Sequence, residues 1–301
     1  MTPQRPPRNR WSHPRRRLKP APQEAAPKCR ARHQPTRHLP SPRVSDPATE
    51  GDWPEGVARH ILERVDSTNA EALRLAPQLG GPAWIMARRQ EAGRGRRGRA
   101  WSDPPGNFAA TLVLRPEGGP ADAARLSFVA ALALHEALTG LCGPRLNIAL
   151  KWPNDVLLNG GKLSGILLES AGTGRDMTAL AIGIGVNLAD APDREAVEER
   201  ATRPVSLRGE TGLTVTPEEL LDALAPAFDR WWRQLRDYGF APIRQAWLAR
   251  AAKLGETITA RTGTTQTEGR FEGIDETGAL ILVTSRGRQA IPAAEIYFSG
   301  G

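Results

Sequence analysis

The chain has 301 residues, a formal net charge of +8 and two cysteines, enough for one large domain and a small one around a sizeable core. Residues 1–50 hold 12 Lys/Arg against 3 Asp/Glu, and the rest holds 29 against 30; the basicity belongs to a tail, and the near-neutral body carries no nucleic-acid signature. Cys29, Cys142 and five histidines, three of them in the tail, leave no disulfide framework, thiolate metal site or histidine triad to build a function on.

Residues 1–52 carry 11 of the 26 prolines and almost no aliphatics, a composition that predicts a disordered tail. That tail is either dispensable or a non-specific binder of anions or nucleic acid. The longest apolar run, around residues 177–189, is too short and too rich in glycine to span a bilayer. The N-terminus has no apolar stretch of secretory type, so a cytoplasmic location without a membrane partner is expected.

From Trp53 the texture becomes globular. Residues 59–65 read as a strand, and Asp66-Ser67-Thr68-Asn69 opens a helix to about residue 76, with Ser67 or Asp66 as the N-cap. Strands follow at 83–90 and 108–115. Residues 121–141 read as an amphipathic helix with Leu126, Val129, Leu132 and Leu134 in its buried stripe. Strand segments at 148–152 and 155–158 lead to the turn Asn159-Gly160-Gly161, and a strand at 162–169 returns. A further apolar strand spans 178–188, and helices are expected at 217–236 and 241–251. Beyond Lys253 short alternating strands at 256–261, 267–274, 279–284 and 288–292 predict a small barrel. The domain division is therefore 1–52, 53–252 and 253–301.

Two segments carry chemistry. The loop Gly93-Arg94-Gly95-Arg96-Arg97-Gly98-Arg99 has four arginines and no acid. Its charges repel and its glycines leave it mobile until an anion condenses it, since guanidinium forks grip phosphate and carboxylate oxygens in pairs. A solvated basic turn or an RNA-binding Arg/Gly patch is the alternative. In the second segment, Lys151-Trp152-Pro153-Asn154-Asp155, a residue before proline is extended, which places Lys151 and Pro153 on one face. The tight turn then brings Lys162 back beside it. A lysine in the apolar run Leu163-Ser164-Gly165-Ile166-Leu167 is either a strand-end charge or a functional cation. Two lysines, an amide and a carboxylate so close together suit an enzyme that activates an acid with ATP.

Other motifs fail. Gly160-Gly161-Lys162 lacks the glycine at 156 and the Ser/Thr at 163 of a phosphate-binding loop. Gly183-Ile184-Gly185 lacks the third glycine of a dinucleotide fingerprint, because Leu188 stands there; these glycines allow close approach of a ligand or a neighbouring strand. Asn187 is then a loop cap or a nucleotide contact. Ser67-Thr68-Asn69 is a plain helix cap or a set of polar ligand groups at a helix N-terminus.

Taken in order, Ser67–Asn69, Gln90, Gly93–Arg99, Lys151–Asp155, Lys162–Leu167 and Gly183–Asn187 resemble the biotin protein ligases over about residues 57–299. The resemblance implies an α+β fold, a mixed-sheet catalytic domain followed by an SH3-like β-barrel. It implies biotin, ATP and Mg²⁺ as reactants, biotinyl-adenylate as intermediate, and a lysine of a biotin carboxyl carrier protein as acceptor. Carried over residue by residue, it assigns biotin to Ser67, Thr68, Asn69, Gln90, Arg94, Gly95, Arg96, Lys162 and Gly165. ATP or adenylate falls to Arg94, Arg96, Arg99, Trp101, Lys151, Asn154, Asp155 and Asn187, with Lys162, Arg96 and Asp155 as the catalytic groups and Trp101 and Trp152 as apolar walls. Residues 1–52 show no helix-turn-helix pattern, so no operator-specific DNA binding is expected, and the protein is expected to be a monomer or weak homodimer. Ala293-Ala294-Glu295 departs from the Gly-Gly-Glu of many relatives. The rivals are a lipoate or octanoate ligase of the same fold and a nucleic-acid-binding protein acting through its tail.

Overall fold

The computed structural model describes residues 53–172, 176–198 and 200–298; the tail expected at 1–52, with Cys29, lies outside the described residues. Seven strands form a mixed sheet: β1 (Ala58–Leu62), β2 (Ala83–Ala87), β3 (Phe108–Leu114), β4 (Ile148–Lys151), β5 (Asp155–Leu158), β6 (Gly161–Ala171) and β7 (Ala179–Val186). Their order is β1-β2-β3-β7-β6-β5-β4, with β1 and β2 parallel and every other neighbour antiparallel. The protein is thus α+β, as the sequence predicts.

Side-chain alternation decides what each face does. On β2, β3 and β7 the residues Trp84, Met86, Phe108, Leu112, Ile182 and Ile184 enter the main core. That core is closed by α2 (Pro120–Cys142), α4 (Pro217–Tyr238) and α5 (Phe240–Leu248). The opposite face holds a smaller cluster in which Ile85, Val113 and Ala181 meet Ala72 of α1 (Thr68–Leu75). α4 starts on a capping box: Thr216 Oγ1 accepts the Glu219 N–H, and the Glu219 carboxylate accepts the Thr216 N–H, with proline at the first turn. α2 is long and apolar enough to cross a membrane by length and composition, which corrects the expectation that residues 177–189 form the longest such run. Asp122, Arg125, His135 and Glu136 interrupt its apolar residues without cancelling their sum. Its Leu126, Val129, Leu132 and Leu134 are buried in the core.

A second, five-stranded antiparallel sheet takes the order β11-β10-β9-β8-β12. Its strands are β8 (Thr257–Thr262), β9 (Thr265–Ile274), β10 (Leu280–Thr284), β11 (Gly287–Ile291) and β12 (Glu295–Phe298). The last was not foreseen: it is four residues long, and its pairing with β8 is made across more than thirty residues of chain. The short helix α3 (Leu207–Thr211), with Ser206 as its cap, was not foreseen either. The C-terminal sheet is tied to the rest at Gly278, whose carbonyl accepts the Trp152 indole N–H at 3.0 Å. A Cβ on Gly278 would stand 2.9 Å from the Phe128 ring, so that ring fills the space a side chain would need. Phe128 also meets Phe240 and Trp247 edge-on, at centroid separations of 5.3 and 5.5 Å. The outer edge of β4 is covered by residues 250–252, through Leu150 N–H to Arg250 O and Ala252 N–H to Leu150 O, both 2.8 Å.

Phe128→Ala should therefore lower unfolding free energy by about 3–5 kcal/mol, read from urea denaturation. A loss under 1 kcal/mol would mean that this aromatic junction does not hold the C-terminal sheet to α2.

Candidate functional site

The face of the sheet opposite the main core is bare where β6 meets β7. Gly183 and Gly185 on β7, and Gly165 on β6, present no side chains, while the alternate residues Ile182, Ile184 and Ile166 are buried in the core. The bare strip is used at once. A Cβ on Gly185 would lie 2.6 Å from the Trp101 indole, and one on Gly183 would lie 2.2 Å from the Asn69 side chain. The close approach that the glycines allow is therefore made by two of the chain's own side chains, which pack onto backbone. Between them, the arginine loop and the C-terminal sheet, a cavity of about 620 Å³ opens. Every residue that the sequence singled out for a ligand lines it.

At one end Gln90 Oε1 accepts the Thr68 backbone N–H at 2.9 Å and its hydroxyl at 3.1 Å. Gln90, more than twenty residues away in sequence, thus serves the first free N–H of α1, while the Ser67 hydroxyl makes no cap bond although Ser67 occupies the N-cap. Plain capping by Ser67 is overturned: Asp66 accepts the Ser67 N–H instead. The Asn69 amide is fully engaged. Its Oδ1 accepts from Thr111 Oγ1 at 2.6 Å, and its Nδ2 donates to Leu167 O at 3.2 Å and Glu169 Oε2 at 2.8 Å. Asn69 therefore shapes the wall with its surface, and its donors are already committed.

At the centre, Lys162 Nζ lies 2.7 Å from Asp155 Oδ1 and 5.9 Å from the centre of the Trp101 ring. The chain does not run extended through Lys151–Asp155. β4 ends at Lys151, residues 152–154 turn through a cis Trp152–Pro153 bond, and β5 begins at Asp155, opposite Lys151 in the ladder. The hairpin delivers both residues to the cavity by cross-strand pairing, in place of the alternation expected along one strand. Lys151 is buried, donates to Thr202 Oγ1 at 2.7 Å, and sits 5.0 Å above the Phe298 ring. Burial pulls its pKa below the ordinary lysine value, partly opposed by the charge of Asp155. Asn154 Nδ2 donates to Ile166 O at 2.6 Å, which leaves its Oδ1 to accept from Arg96 at 3.3 Å. Asn187 donates to Val205 O at 3.1 Å, and its buried Oδ1 has no partner.

The arginine loop closes the cavity above these groups. It is pinned by Gly95 N–H to Arg99 O at 2.7 Å and Trp101 N–H to Gly93 O at 2.9 Å. Arg97 and Gly98 take positive φ at its tip. The loop was expected to await an outside anion, yet its charges are met by carboxylates from elsewhere in the chain. Arg97 and Arg99 lie 3.0 and 2.8 Å from Glu295, Arg99 lies 3.1 Å from Glu198, and Arg94 lies 3.7 Å from Glu169. Arg96 turns instead to a carbonyl and an amide. Its Nη1 and Nη2 each donate to Ala294 O at 3.3 Å, and burial works against its charge while Asp155 favours it. Burial raises the Glu295 carboxyl, but hydrogen bonds from Arg261 and Tyr297 and the charges of Arg99 and Arg97 outweigh that and hold it at about 2. Glu198 and Thr202 were not foreseen, and Glu295, noted only within the Ala293-Ala294-Glu295 turn, was not expected at the loop; each lies far along the chain. The departure at Ala293-Ala294-Glu295 leaves both the carbonyl and the carboxylate in contact with the loop.

Comparisons with known proteins agree on one family. The family model described as "Biotin/lipoate A/B protein ligase family" matches residues 61–187, and the one described as "Biotin protein ligase C terminal domain" matches residues 253–299. A "Biotin--[acetyl-CoA-carboxylase] ligase" of Paracoccus denitrificans is 68% identical over 240 residues, 80% of this chain and 100% of the relative. The "Bifunctional ligase/repressor BirA" of Escherichia coli is 32% identical over 76% of this chain and 70% of its own length. Among solved structures, the biotin protein ligase from Aquifex aeolicus in complex with biotin and ATP is similar with a TM-score of 0.65 and 27% identity, over 79% of this chain and 97% of its own.

Glu295→Gln should loosen the loop. Besides the pair with Arg261, it weakens two ion pairs to the loop, each worth up to about 1 kcal/mol, so trypsin should cut after Arg94–Arg99 several-fold faster than in the unaltered chain. An unchanged cutting rate would show that the carboxylate does not hold the loop.

Proposed function

We propose that this chain, which belongs to the biotin protein ligase family, is an ATP-dependent biotin–protein ligase. Biotin and MgATP give biotinyl-5′-AMP and pyrophosphate, and biotin is then transferred to a lysine of the biotin carboxyl carrier protein of acetyl-CoA carboxylase. The observation that carries this reading is the convergence of Lys162, Arg96 and Lys151 on one cavity whose far wall is the polar set Thr68–Gln90.

In the first step one oxygen of the biotin carboxylate bonds to the α-phosphorus as the bond to the bridging oxygen of pyrophosphate breaks. Both reactants are anions, and two unit charges about 4 Å apart at an effective dielectric of about 20 repel by about 4 kcal/mol. Fixed cations are what the step needs, and cations already in place cost little reorganisation. Lys162 bridges carboxylate and phosphate from below, and Arg96 reaches them from the loop above. Arg94 and Arg99 exchange Glu169, Glu198 and Glu295 for phosphate oxygens, and Trp101 and Trp152 supply apolar cover that keeps water from the mixed anhydride.

In the second step the acceptor amine attacks the acyl carbon, the bond to AMP breaks, and the amine gives up a proton. Asp155 is the acceptor we assign, since it faces the cavity beside Lys162. Among the described residues no three His, Cys, Asp or Glu side chains gather as a resident metal site. The cation arrives with ATP, and the unpartnered Oδ1 of Asn187 is an oxygen that would hold it. The ring end of biotin is assigned to Ser67, Thr68, Gln90 and the wall shaped by Asn69, with Gly95 and Gly165 giving close backbone approach. Residues 53–252 are the catalytic domain and residues 253–301 the C-terminal domain, working in the cytoplasm as a monomer or weak homodimer.

Transfer of labelled biotin to a carrier domain tests the reading. Lys162→Ala should slow adenylate formation about 10²–10³-fold, and biotin with ATP should protect residues 94–99 from trypsin. Wild-type rates in Lys162→Ala, or an acyl-adenylate formed with lipoate and not with biotin, would overturn it.

A further inference from the structure

Asp103 stands two residues beyond Trp101 and does not line the cavity. Its Oδ2 accepts the backbone N–H of Gln90 at 2.8 Å. Its Oδ1 is buried and has no partner. A carboxylate oxygen left unbonded away from water is a cost to the fold. Nothing in the packing of the core requires it, because an apolar or amide side chain of the same size would fill the place. What the carboxylate does achieve is local. The Gln90 amide sits between Thr68, through its Oε1, and the glycine at which the arginine loop begins; a Cβ on Gly93 would be 3.0 Å from Gln90 Nε2 and 3.1 Å from the Trp101 carbonyl. Asp103 thus straps the exit of the loop to the residue whose side chain forms the polar end of the cavity.

We propose that Asp103 is a positioning residue for biotin. Its carboxylate holds the Gln90 backbone, and through it the side-chain amide that meets the biotin ring. This assignment rests on the biotin reading of the cavity. A charge-assisted bond to a backbone N–H is stronger and more directional than a neutral one, so the strap is tight only while the carboxyl is ionised.

That state is finely balanced. Burial raises the Asp103 carboxyl to about 6, against the Gln90 hydrogen bonds and the charge of Arg89, which favour ionisation. Arg89 is the charged group acting on it. The other charges on the flanking turns are exposed and paired among themselves, Asp66 with Arg74 and Glu91 with Arg64. The signs then separate two effects. Because the folded value lies above the ordinary one, ionised Asp103 opposes folding: its contribution to stability improves as pH falls from about 7 through 6 and worsens as pH rises. Its contribution to biotin binding runs the other way, present above about 6 and lost below. A merely structural carboxylate would move stability and binding together.

The test measures biotin binding and steady-state adenylate formation from pH 5.5 to 8, with thermal melts alongside, on full-length wild type, Asp103→Ala and Asp103→Asn. In wild type KM for biotin should rise as pH falls through 6 while kcat changes little. Asp103→Ala should raise KM about tenfold at pH 8, the loss expected for one charge-assisted hydrogen bond. Asp103→Asn keeps an acceptor of the same shape without the charge; its KM should stay near the value that wild type reaches at low pH, show a flat profile between pH 5.5 and 7, and the variant should melt no lower than wild type. Biotin binding by Asp103→Ala equal to wild type at pH 8, or a wild-type pH profile in Asp103→Asn, would overturn the assignment and leave the biotin reading intact. Failure of wild type to bind biotin at any pH would overturn the biotin reading and the assignment with it. Should Asp103→Ala not fold, the profile of Asp103→Asn decides alone.

Discussion

The strand Ala179–Val186 constrains everything around the site. Its even-numbered residues, Leu180, Ile182, Ile184 and Val186, are large and buried in the main core, and its odd-numbered residues shrink along the strand from Ala179 and Ala181 to Gly183 and Gly185. Pleating forces the two sets onto opposite faces, so one stretch of eight residues both fastens the sheet to α2 and clears a strip of backbone on the other side. Asn69 and Trp101 can lie flat on that strip because nothing projects from it. A single methyl at Gly185 would push the indole away, and with it the end of the arginine loop. The cavity is therefore a consequence of core packing, and its floor is as rigid as the core beneath it.

The loop above is a different kind of element. Four guanidinium groups within seven residues could not lie together without counter-charge, and the fold supplies it from Glu295, Glu198 and Glu169. These pairs are half exposed, and pairs of that kind are worth up to about 1 kcal/mol each. A ligand phosphate can replace them at little cost, since it offers more charge and a geometry that the fork matches with two bonds. On the proposed reading, closure over a substrate is an exchange of partners. Arg96 differs: it already points inward, onto Ala294 O and Asn154 Oδ1, and needs no exchange to meet an anion. The rigid cations, Lys162 and Lys151, belong to the sheet, and the adjustable ones belong to the loop.

Much of this was legible in the chain because the information was local. The turn at Asn159–Gly161 announces a hairpin, the hairpin places Lys162 near Lys151 and Asp155, and the apolar run at 178–188 announces a strand whose glycines allow close approach. What was not legible came from pairing at a distance. β12 is too short to show a pattern and exists because β8 offers it an edge, so Glu295 could not be placed over the loop before the sheet was known. Gln90 acting as the cap of α1, in place of Ser67, depends on the parallel bridge between Val65 and Gln90. The strand expected through Trp152 ends at Lys151, because the turn at 152–154 redirects the chain and cross-strand register replaces alternation along the strand.

The C-terminal sheet gains a meaning from these distant contacts. It contributes Ala294 O and Glu295 to the loop and Phe298 to Lys151, and it is anchored by Trp152, which lies inside the same segment as Asn154 and Asp155. A shift of that sheet would move the roof of the cavity and the partner of a buried lysine together. Lys151 gives the coupling its force. An ammonium group so buried has Thr202 and an aromatic face for company and a carboxylate only across the ladder, and desolvation disfavours its charge. Thr202 and the Phe298 ring are therefore what make this cation tolerable inside the protein, and the C-terminal sheet supplies the second of them.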